Sequence, residues 1–394
     1  MKWVSTFSYL PVDFTVEMGE AENQTQEIFF DNNIEGDQVR LRFSNRYGKK
    51  PLELAGVEVS VLGAEGTEKC HPVTRHGSPR ICLKPGEECW SDETTFAVAA
   101  GERICIRTQV DKRQSVGSLC MFWSATGPAV QLKETGGDQE ISFRKAYPVI
   151  LQDEYLKEAS YFYGISGMQV WTKDQVKTVA MFGDSITHMS YLSNALIRRL
   201  YAQYPGKVAV VNRGLGGNRL LRDASEALWL PGKGSNSGDA GIRRFEKDVF
   251  GEDTADLVMV LEGVNDIMHP VKLEHPGEKA TARELVEGLG KLIQTAHGHG
   301  ARIFGGTILP CAHESYCQAW IQEFEEIRLE VNKKIREGVG FDGWVDYDAG
   351  LRNEENPAFM QEKFHMGDGL HPNDLGGEQM AELVDLAELM GEKD

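Results

Sequence analysis

The sequence lacks long apolar runs and carries little positive charge for its length. No uninterrupted apolar stretch approaches the roughly 18 residues that a membrane-spanning helix needs, and none is therefore predicted. The 42 basic residues are outnumbered by 60 acidic ones, which gives a formal net charge of −18. A surface of this sign repels nucleic acid and anionic membranes, so neither is an expected partner.

Cysteine is also scarce, with seven residues spread over 394 positions. An odd count without dense spacing excludes a disulfide framework and predicts free thiols. Cys311, His313 and Cys317 are close enough in sequence to bind a metal, but a fourth nearby ligand is missing. We therefore predict no metal and no organic cofactor.

The first eleven residues are too short and too polar for a signal peptide. This predicts a cytoplasmic location, although a secreted chain whose leader had been removed would look the same.

Residues 1–150 carry short β-rich runs separated by turn clusters. The segments 39–43 and 104–108 alternate apolar and polar residues, and 52–62 is rich in β-branched residues and leucine. Short strands at this spacing predict an all-β, jelly-roll-like sandwich domain. Residues 151–175, rich in tyrosine and glycine, are the predicted connector.

From residue 176 to residue 394, apolar runs alternate with helical patterns. The runs lie near 178–182, 208–212, 256–261, 301–309 and 343–347. Five buried strands separated by helices predict a parallel sheet covered on both faces, which is a three-layer α/β/α domain.

The first of these runs ends in Gly183-Asp184-Ser185, and a helical pattern follows at once. A serine at this place lies at the carboxyl end of a strand and at the amino end of a helix, where open α/β folds bind ligands. The helix N–H groups can stabilise an oxyanion there. Taken alone, the same three residues also fit an ordinary helix cap.

A base and its carboxylate partner are predicted near the end of the chain. Asp368 and His371 lie three residues apart on a turn flanked by glycines. A nucleophilic serine needs a base to take its proton, and the base needs a carboxylate to orient it. One short loop can supply both groups.

Two strand ends carry candidate oxyanion donors. Gly217 follows the run at 208–212, and Asn265 follows the run at 256–261. Glycine lets a backbone N–H approach a substrate oxygen closely, and the asparagine amide adds a further donor. Together with the N–H of Ser185 they form a predicted three-donor oxyanion hole.

These four segments, in order and residue type, resemble the SGNH hydrolases, also called the GDSL esterase/lipase family. The resemblance covers roughly residues 176–390 and implies a flavodoxin-like catalytic domain. It implies Ser185 as the nucleophile, His371 as the base and Asp368 as its orienting partner. Gly217 and Asn265 become oxyanion donors beside the Ser185 N–H. One departure is visible at residues 188–189, His-Met, where many relatives have an acidic residue and glycine.

The resemblance implies a serine ester hydrolase. A leading β-domain before an SGNH domain is similar to the arrangement in bacterial carbohydrate acetylesterases, which favours an acetylated sugar or oligosaccharide as substrate. The loops at 219–226, 232–239 and 272–279 are polar and glycine-rich, as suits a small acyl pocket. A general short-chain esterase or lipase-like hydrolase is the alternative, and a glycan-binding protein with vestigial catalysis is a third. The β-domain is expected to be either a structural brace or a binding module.

Overall fold

The computed structural model describes residues 1–63, 66–152, 156–223, 237–251 and 253–392. They form two compact units, one built mainly from residues 1–177 and the other mainly from residue 178 onwards. No helix among the described residues is both long enough and apolar enough to cross a membrane. All seven cysteines are free thiols.

The N-terminal unit consists almost entirely of strands. Its elements are β1 (Lys2–Ser8), β2 (Val12–Asp13), β3 (Gly19–Ala21), β4 (Gln24–Asp31), β5 (Gly36–Ser44), β6 (Leu52–Leu54), β7 (Gly56–Gly63), β8 (Gly66–Pro72), β9 (Ile81–Leu83), β10 (Glu88–Trp90), β11 (Thr94–Val98), β12 (Arg103–Val110), β13 (Gln114–Val116), β14 (Ser118–Phe122), β15 (Ala129–Glu134), α1 (Phe143–Ala146) and β16 (Ser160–Thr172).

Two antiparallel sheets form the sandwich. One has the order β10-β5-β16-β14-β2, with β1 paired to β16 and β11 paired to β5, and the other has the order β15-β4-β12-β7-β8. Phe7 of the first sheet and Phe30 of the second are buried and stack with their ring centroids 4.5 Å apart. Aromatic rings from both inner faces thus share one core, and the predicted β-sandwich is confirmed.

The segment predicted as a connector differs from expectation, because it contains the long strand β16. Residues Ser160–Thr172 pair with β1, β5 and β14, so this strand lies inside the first sheet. Nearly every residue of β16 is buried, so the period-two alternation that identifies a half-exposed strand is absent. A shift of pairing register between Ile165 and Gly167 interrupts the pattern further.

The chain from residue 177 onwards has the alternating order that the sequence predicts. Its elements are β17 (Lys177–Gly183), α2 (Ser185–His188), α3 (Tyr191–Gln203), β18 (Val208–Gly214), α4 (Gly241–Phe250), β19 (Leu257–Leu261), α5 (Val264–Lys272), α6 (Ala282–Gly298), β20 (Arg302–Gly306), α7 (Gln318–Arg336), β21 (Gly343–Val345), α8 (Tyr347–Leu351), α9 (Asp374–Glu382) and α10 (Leu386–Met390).

The five strands of this part form one sheet in the order β18-β17-β19-β20-β21. The pairs formed by β17, β19, β20 and β21 are parallel. The first strand in sequence, β17, therefore lies between the second and the third. Ligands of open α/β sheets bind where the strand order reverses in this way. The predicted three-layer α/β/α domain is confirmed.

Helix α6 illustrates how the sequence builds the outer layers. Thr281 caps its amino end in a reciprocal capping box with Glu284. Leu285, Leu289 and Leu292 recur at helical spacing and are all buried. The apolar face packs inward and the capped end satisfies backbone donors, as the amphipathic pattern predicts.

Candidate active site

The serine at the end of β17 occupies the first position of a short helix. β17 ends at Gly183 and α2 begins at Ser185. A Cβ atom added at Gly183 would lie 2.2 Å from the carbonyl oxygen of Leu261, so only glycine allows the strand end to pass this close to β19. Ser185 is partly exposed, and a substrate can reach it.

Ser185, His371 and Asp368 form a continuous chain of hydrogen bonds. The Oγ atom of Ser185 lies 2.7 Å from Nε2 of His371, and Nδ1 of His371 lies 2.5 Å from Oδ2 of Asp368. This is the geometry that a hydroxyl nucleophile, a base and an orienting carboxylate require. The structure thus brings together three residues that the sequence places up to 186 positions apart.

The loop that carries Asp368 and His371 is held by its own hydrogen bonds. Oδ1 of Asp368 accepts the backbone N–H of His371 at 2.9 Å. Nδ1 of His365 accepts the N–H groups of Gly367 at 3.0 Å and Gly369 at 3.2 Å. Both glycines have positive φ angles, 102° and 72°, so the tight turn depends on them.

The two predicted oxyanion donors follow β18 and β19 and are linked through one carbonyl. Gly217 has a φ angle of 73° and is partly exposed. Nδ2 of Asn265, in the first turn of α5, donates to the carbonyl oxygen of Asn218 at 2.9 Å. An amide nitrogen carries two hydrogens, so a second donor remains on Asn265.

Asp266 holds the loop that carries Gly217 in place. Its carboxylate accepts the backbone N–H groups of Leu220 at 2.6 Å and Leu221 at 2.9 Å. Burial raises the pKa of Asp266 to about 6, and the two backbone hydrogen bonds oppose that rise. A carboxylate in the first turn of α5, shortly after β19, therefore orders the loop that carries Gly217.

A buried group of ionisable side chains close to Ser185 in the fold was not predicted from the sequence. Asp184 accepts the N–H of Ile186 at 2.9 Å, and burial raises its pKa to about 7. The Glu262 side chain is fully buried. Burial, followed by the charge of Asp184, raises the pKa of Glu262 well above its ordinary value, and the Arg244 guanidinium opposes this rise.

Only part of this group left a signal in the sequence. Glu262 follows directly after an apolar strand, and an acidic residue at that position is unusual enough to be noticed in the sequence. Arg244 gives none, because it is adjacent to another arginine on a charged amphipathic helix, where basic residues are ordinarily solvated.

His188, the visible departure from the relatives' pattern, contributes to the oxyanion loop. Its side chain is buried, and its Nδ1 accepts the N–H of Gly216 at 3.0 Å. A Cβ atom added at Gly214 would lie 2.2 Å from the backbone nitrogen of His188. The histidine and the loop before Gly217 thus pack directly against each other.

The Cys311-His313-Cys317 segment does not assemble into a metal site. Cys311 is buried, and burial raises the pKa of its thiol to about 12. Nδ1 of His313 lies 2.7 Å from the hydroxyl of Ser315, and Cys317 precedes α7 as its exposed cap residue. Among the residues that the structure describes, no three His, Cys, Asp or Glu side chains are grouped to hold a metal.

Comparison with known proteins identifies the family. The sequence model of the GDSL-like Lipase/Acylhydrolase family matches residues 181–378, which is half of the chain. The matched range includes every residue of the candidate site. The chain belongs to this family and is a carboxylic ester hydrolase. Among curated proteins, none matches the chain.

Several solved structures are similar to part of the chain. A catalytic mutant of Axe2, an acetylxylan esterase from Geobacillus stearothermophilus, is 20% identical over 55% of this chain and 94% of its own, with a TM-score of 0.41. LAE5, an alpha/beta hydrolase enzyme from the metagenome of Lake Arreo, is 18% identical over 55% and 95%, with a TM-score of 0.40. A GDSL-like lipase from Bacteroides thetaiotaomicron is 16% identical over 54% and 87%, with a TM-score of 0.39.

Proposed function

We propose that this protein is a serine esterase that removes short acyl groups, above all acetyl, from a carbohydrate. The observation that carries the proposal is the unbroken hydrogen-bonded chain from Ser185 through His371 to Asp368. Such a chain activates a hydroxyl that is otherwise a weak nucleophile.

In the proposed reaction, Ser185 Oγ attacks the ester carbonyl carbon while Nε2 of His371 takes the hydroxyl proton. The tetrahedral intermediate collapses, the bond to the alcohol oxygen breaks, and His371 returns the proton to the departing alcohol. Water then attacks the acyl-enzyme in the same way and releases the carboxylic acid and free Ser185. Asp368 keeps His371 in the tautomer whose Nε2 faces the serine.

The oxyanion of each tetrahedral intermediate is assigned to three donors. These are the N–H of Ser185, the N–H of Gly217 and the side-chain amide of Asn265. Helix α2 has only four residues, so its dipole adds little, and the donors themselves carry the stabilisation. Their positions are set by β17, β18 and β19, three neighbouring strands of a rigid sheet.

Polar groups on the segments that follow these donors in the sequence support a small acyl group and a hydroxyl-rich alcohol. Arg219, directly after Asn218, forms an ion pair with Glu278 at 2.6 Å. Lys272, at the end of α5, donates to the hydroxyl of Tyr316 at 2.9 Å. A fatty chain would need an apolar channel in order to gain about 0.8 kcal/mol for each buried methylene. Of the loops expected to line the cleft, residues 224–236, including Trp229, lie outside the described residues.

A hydrolysis screen tests this proposal. Purified protein is assayed on aryl esters of increasing acyl length and on acetylated monosaccharides and xylo-oligosaccharides, with Ser185→Ala as the control for contaminating esterase. We expect activity to peak at about two to four acyl carbons and to be nearly absent by about ten. Acetate should also be released from the acetylated sugars.

The screen also separates the alternatives. Efficient cleavage of long-chain esters with untouched acetyl sugars would overturn the proposal in favour of a lipase-like hydrolase. Activity on short aryl esters without acetate release from the sugars would limit it to a general short-chain esterase. Turnover that persists undiminished in Ser185→Ala would contradict the proposed mechanism.

A further inference from the structure

Arg244 is a buried arginine that the reaction itself does not use. It lies on α4 with its side chain 5% exposed, and its guanidinium group is 4.0 Å from the ring centroid of Phe182. Burying a cation is costly unless its donors are paired. Its position therefore requires an explanation from the groups that it contacts.

The guanidinium donors are shared among acceptors from several parts of the site. Nη2 donates to the carbonyl oxygen of Gly183 at 2.8 Å, Nε donates to Oδ1 of Asn218 at 2.7 Å, and Nη1 donates to the carbonyl oxygen of Arg213 at 2.9 Å. Nη1 also pairs with Asp248 on the next turn of α4 at 3.1 Å. The planar guanidinium fork holds these acceptors in fixed directions, which a lysine could not do.

These acceptors lead directly to the candidate oxyanion donors. Gly183 is two residues before Ser185 at the end of β17. Asn218 is the neighbour of Gly217, and its carbonyl oxygen accepts from Asn265. One side chain therefore joins the strand end behind Ser185 to the loop that carries Gly217, and that loop in turn holds the Asn265 amide.

We propose that Arg244 is a positioning residue for the oxyanion hole, holding the Ser185, Gly217 and Asn265 donors in register with one another. The inference rests on the proposed esterase function. Its physical basis is that oxyanion donors stabilise a transition state only when their spacing is preset, so that no reorganisation is needed during the reaction.

Two acidic side chains face the guanidinium. Asp248 is ion-paired with it, and Oε2 of the fully buried Glu262 lies 3.6 Å from Nη2. Asp248 pairs with the guanidinium from the same helix, whereas Glu262 approaches it from the residue directly after β19.

The experiment compares Arg244→Met with Arg243→Met, a matched control on the same helix whose side chain is 56% exposed. With an aryl acetate, we expect kcat of Arg244→Met to be about 100-fold lower, since a small misplacement of reacting groups can cost that much. KM should change little, and Arg243→Met should match the wild type.

A double variant provides the readout that general destabilisation would not give. If Arg244 acts through the oxyanion donors, Arg244→Met combined with Asn265→Ala should lose little more than the larger single loss. Fully multiplicative losses, or wild-type kcat in Arg244→Met, would overturn the proposal. Should Arg244→Met fail to fold, Asn218→Ala removes the same link from its other end, and its coupling to Asn265→Ala is measured instead.

The failure of this proposal is distinguishable from that of the esterase function. Activity that survives Ser185→Ala would contradict the proposed function. An inactive Ser185→Ala beside a fully active Arg244→Met would contradict the role of Arg244 alone.

Discussion

The two sides of the candidate site are held in place in different ways. On the base side, Asp368 and His371 lie on one short loop, are 18% and 14% exposed, and hydrogen-bond to each other. On the nucleophile side, Ser185 lies in front of Asp184, Glu262 and Arg244, all of them buried. The base side is thus ordered locally, whereas the nucleophile side is ordered by groups from three separate segments of the chain.

This difference shows that the base lies on a loop near solvent, whereas the groups that hold the nucleophile side are buried. In the proposed reaction the base must receive a proton and pass it on, which suits a loop that remains near solvent. The proposed oxyanion donors must not move, and they follow strands of the buried sheet, where we propose that the guanidinium of Arg244 holds them.

The largest effect should come from removing either end of the hydrogen-bonded chain. Ser185→Ala and His371→Ala should each lower kcat for an aryl acetate by about three orders of magnitude or more, with the folded state intact. Steady-state kinetics measures the loss, and circular dichroism checks the fold. Asp368→Ala tests the base side further, and a loss smaller than that of His371→Ala is expected because the backbone N–H of Met366, which donates to the carbonyl oxygen of His371 at 2.9 Å, still holds the histidine in its loop.

A triad variant with normal turnover would contradict the whole assignment. Equal losses in Asp368→Ala and His371→Ala would instead show that the carboxylate is as indispensable as the base, and the loop would then not be ordering the histidine by itself.

A smaller loss is expected from the nucleophile side. Asn265→Ala removes one oxyanion donor, and such losses cost roughly 2.7–4 kcal/mol in the transition state. The rate constant kcat should fall by about 100-fold to 1,000-fold while KM changes little. Weakened binding with normal kcat would instead make Asn265 a residue that positions the substrate.

How much could be predicted from the sequence follows the same division. Asp368 and His371 are three residues apart, so their partnership is visible in the sequence itself. The strand ends that carry Ser185, Gly217 and Asn265 were predictable because the carboxyl ends of parallel strands meet at one edge of a sheet. The fold class followed from hydrophobic periodicity.

The supports could not be predicted in this way. Arg244 reaches an acceptor 61 residues away at Gly183, and no local pattern records such a contact. Strand β16 was missed for a related reason, since a strand buried on both faces loses its alternation. Both Arg244 and β16 are buried by segments that are distant in the sequence, and local sequence preference gives no sign of such burial.

The smallest effect concerns stability and the buried acid beside the nucleophile. Burial raises the pKa of Asp184 from its ordinary 3.8 to about 7. A carboxyl whose pKa is higher in the folded state stabilises the fold fully below its unfolded pKa, and that stabilisation is lost as the pH rises through the folded pKa. The wild type should therefore lose stability between about pH 4 and pH 7 through this group.

The variant Asp184→Asn tests that expectation, because asparagine also caps a helix well but cannot ionise. Each pKa unit corresponds to about 1.4 kcal/mol, and 1 kcal/mol moves the unfolding midpoint by about 2–4 °C in a unit of this size. At pH 7.5 we expect calorimetry to give a midpoint at least about 3 °C above the wild type, with the difference vanishing near pH 4. The exposed Glu378→Gln should show no such pH-dependent gain. A variant less stable than the wild type at pH 7.5 would mean that the ionised carboxylate of Asp184 stabilises the fold, and burial would then not be what sets its pKa.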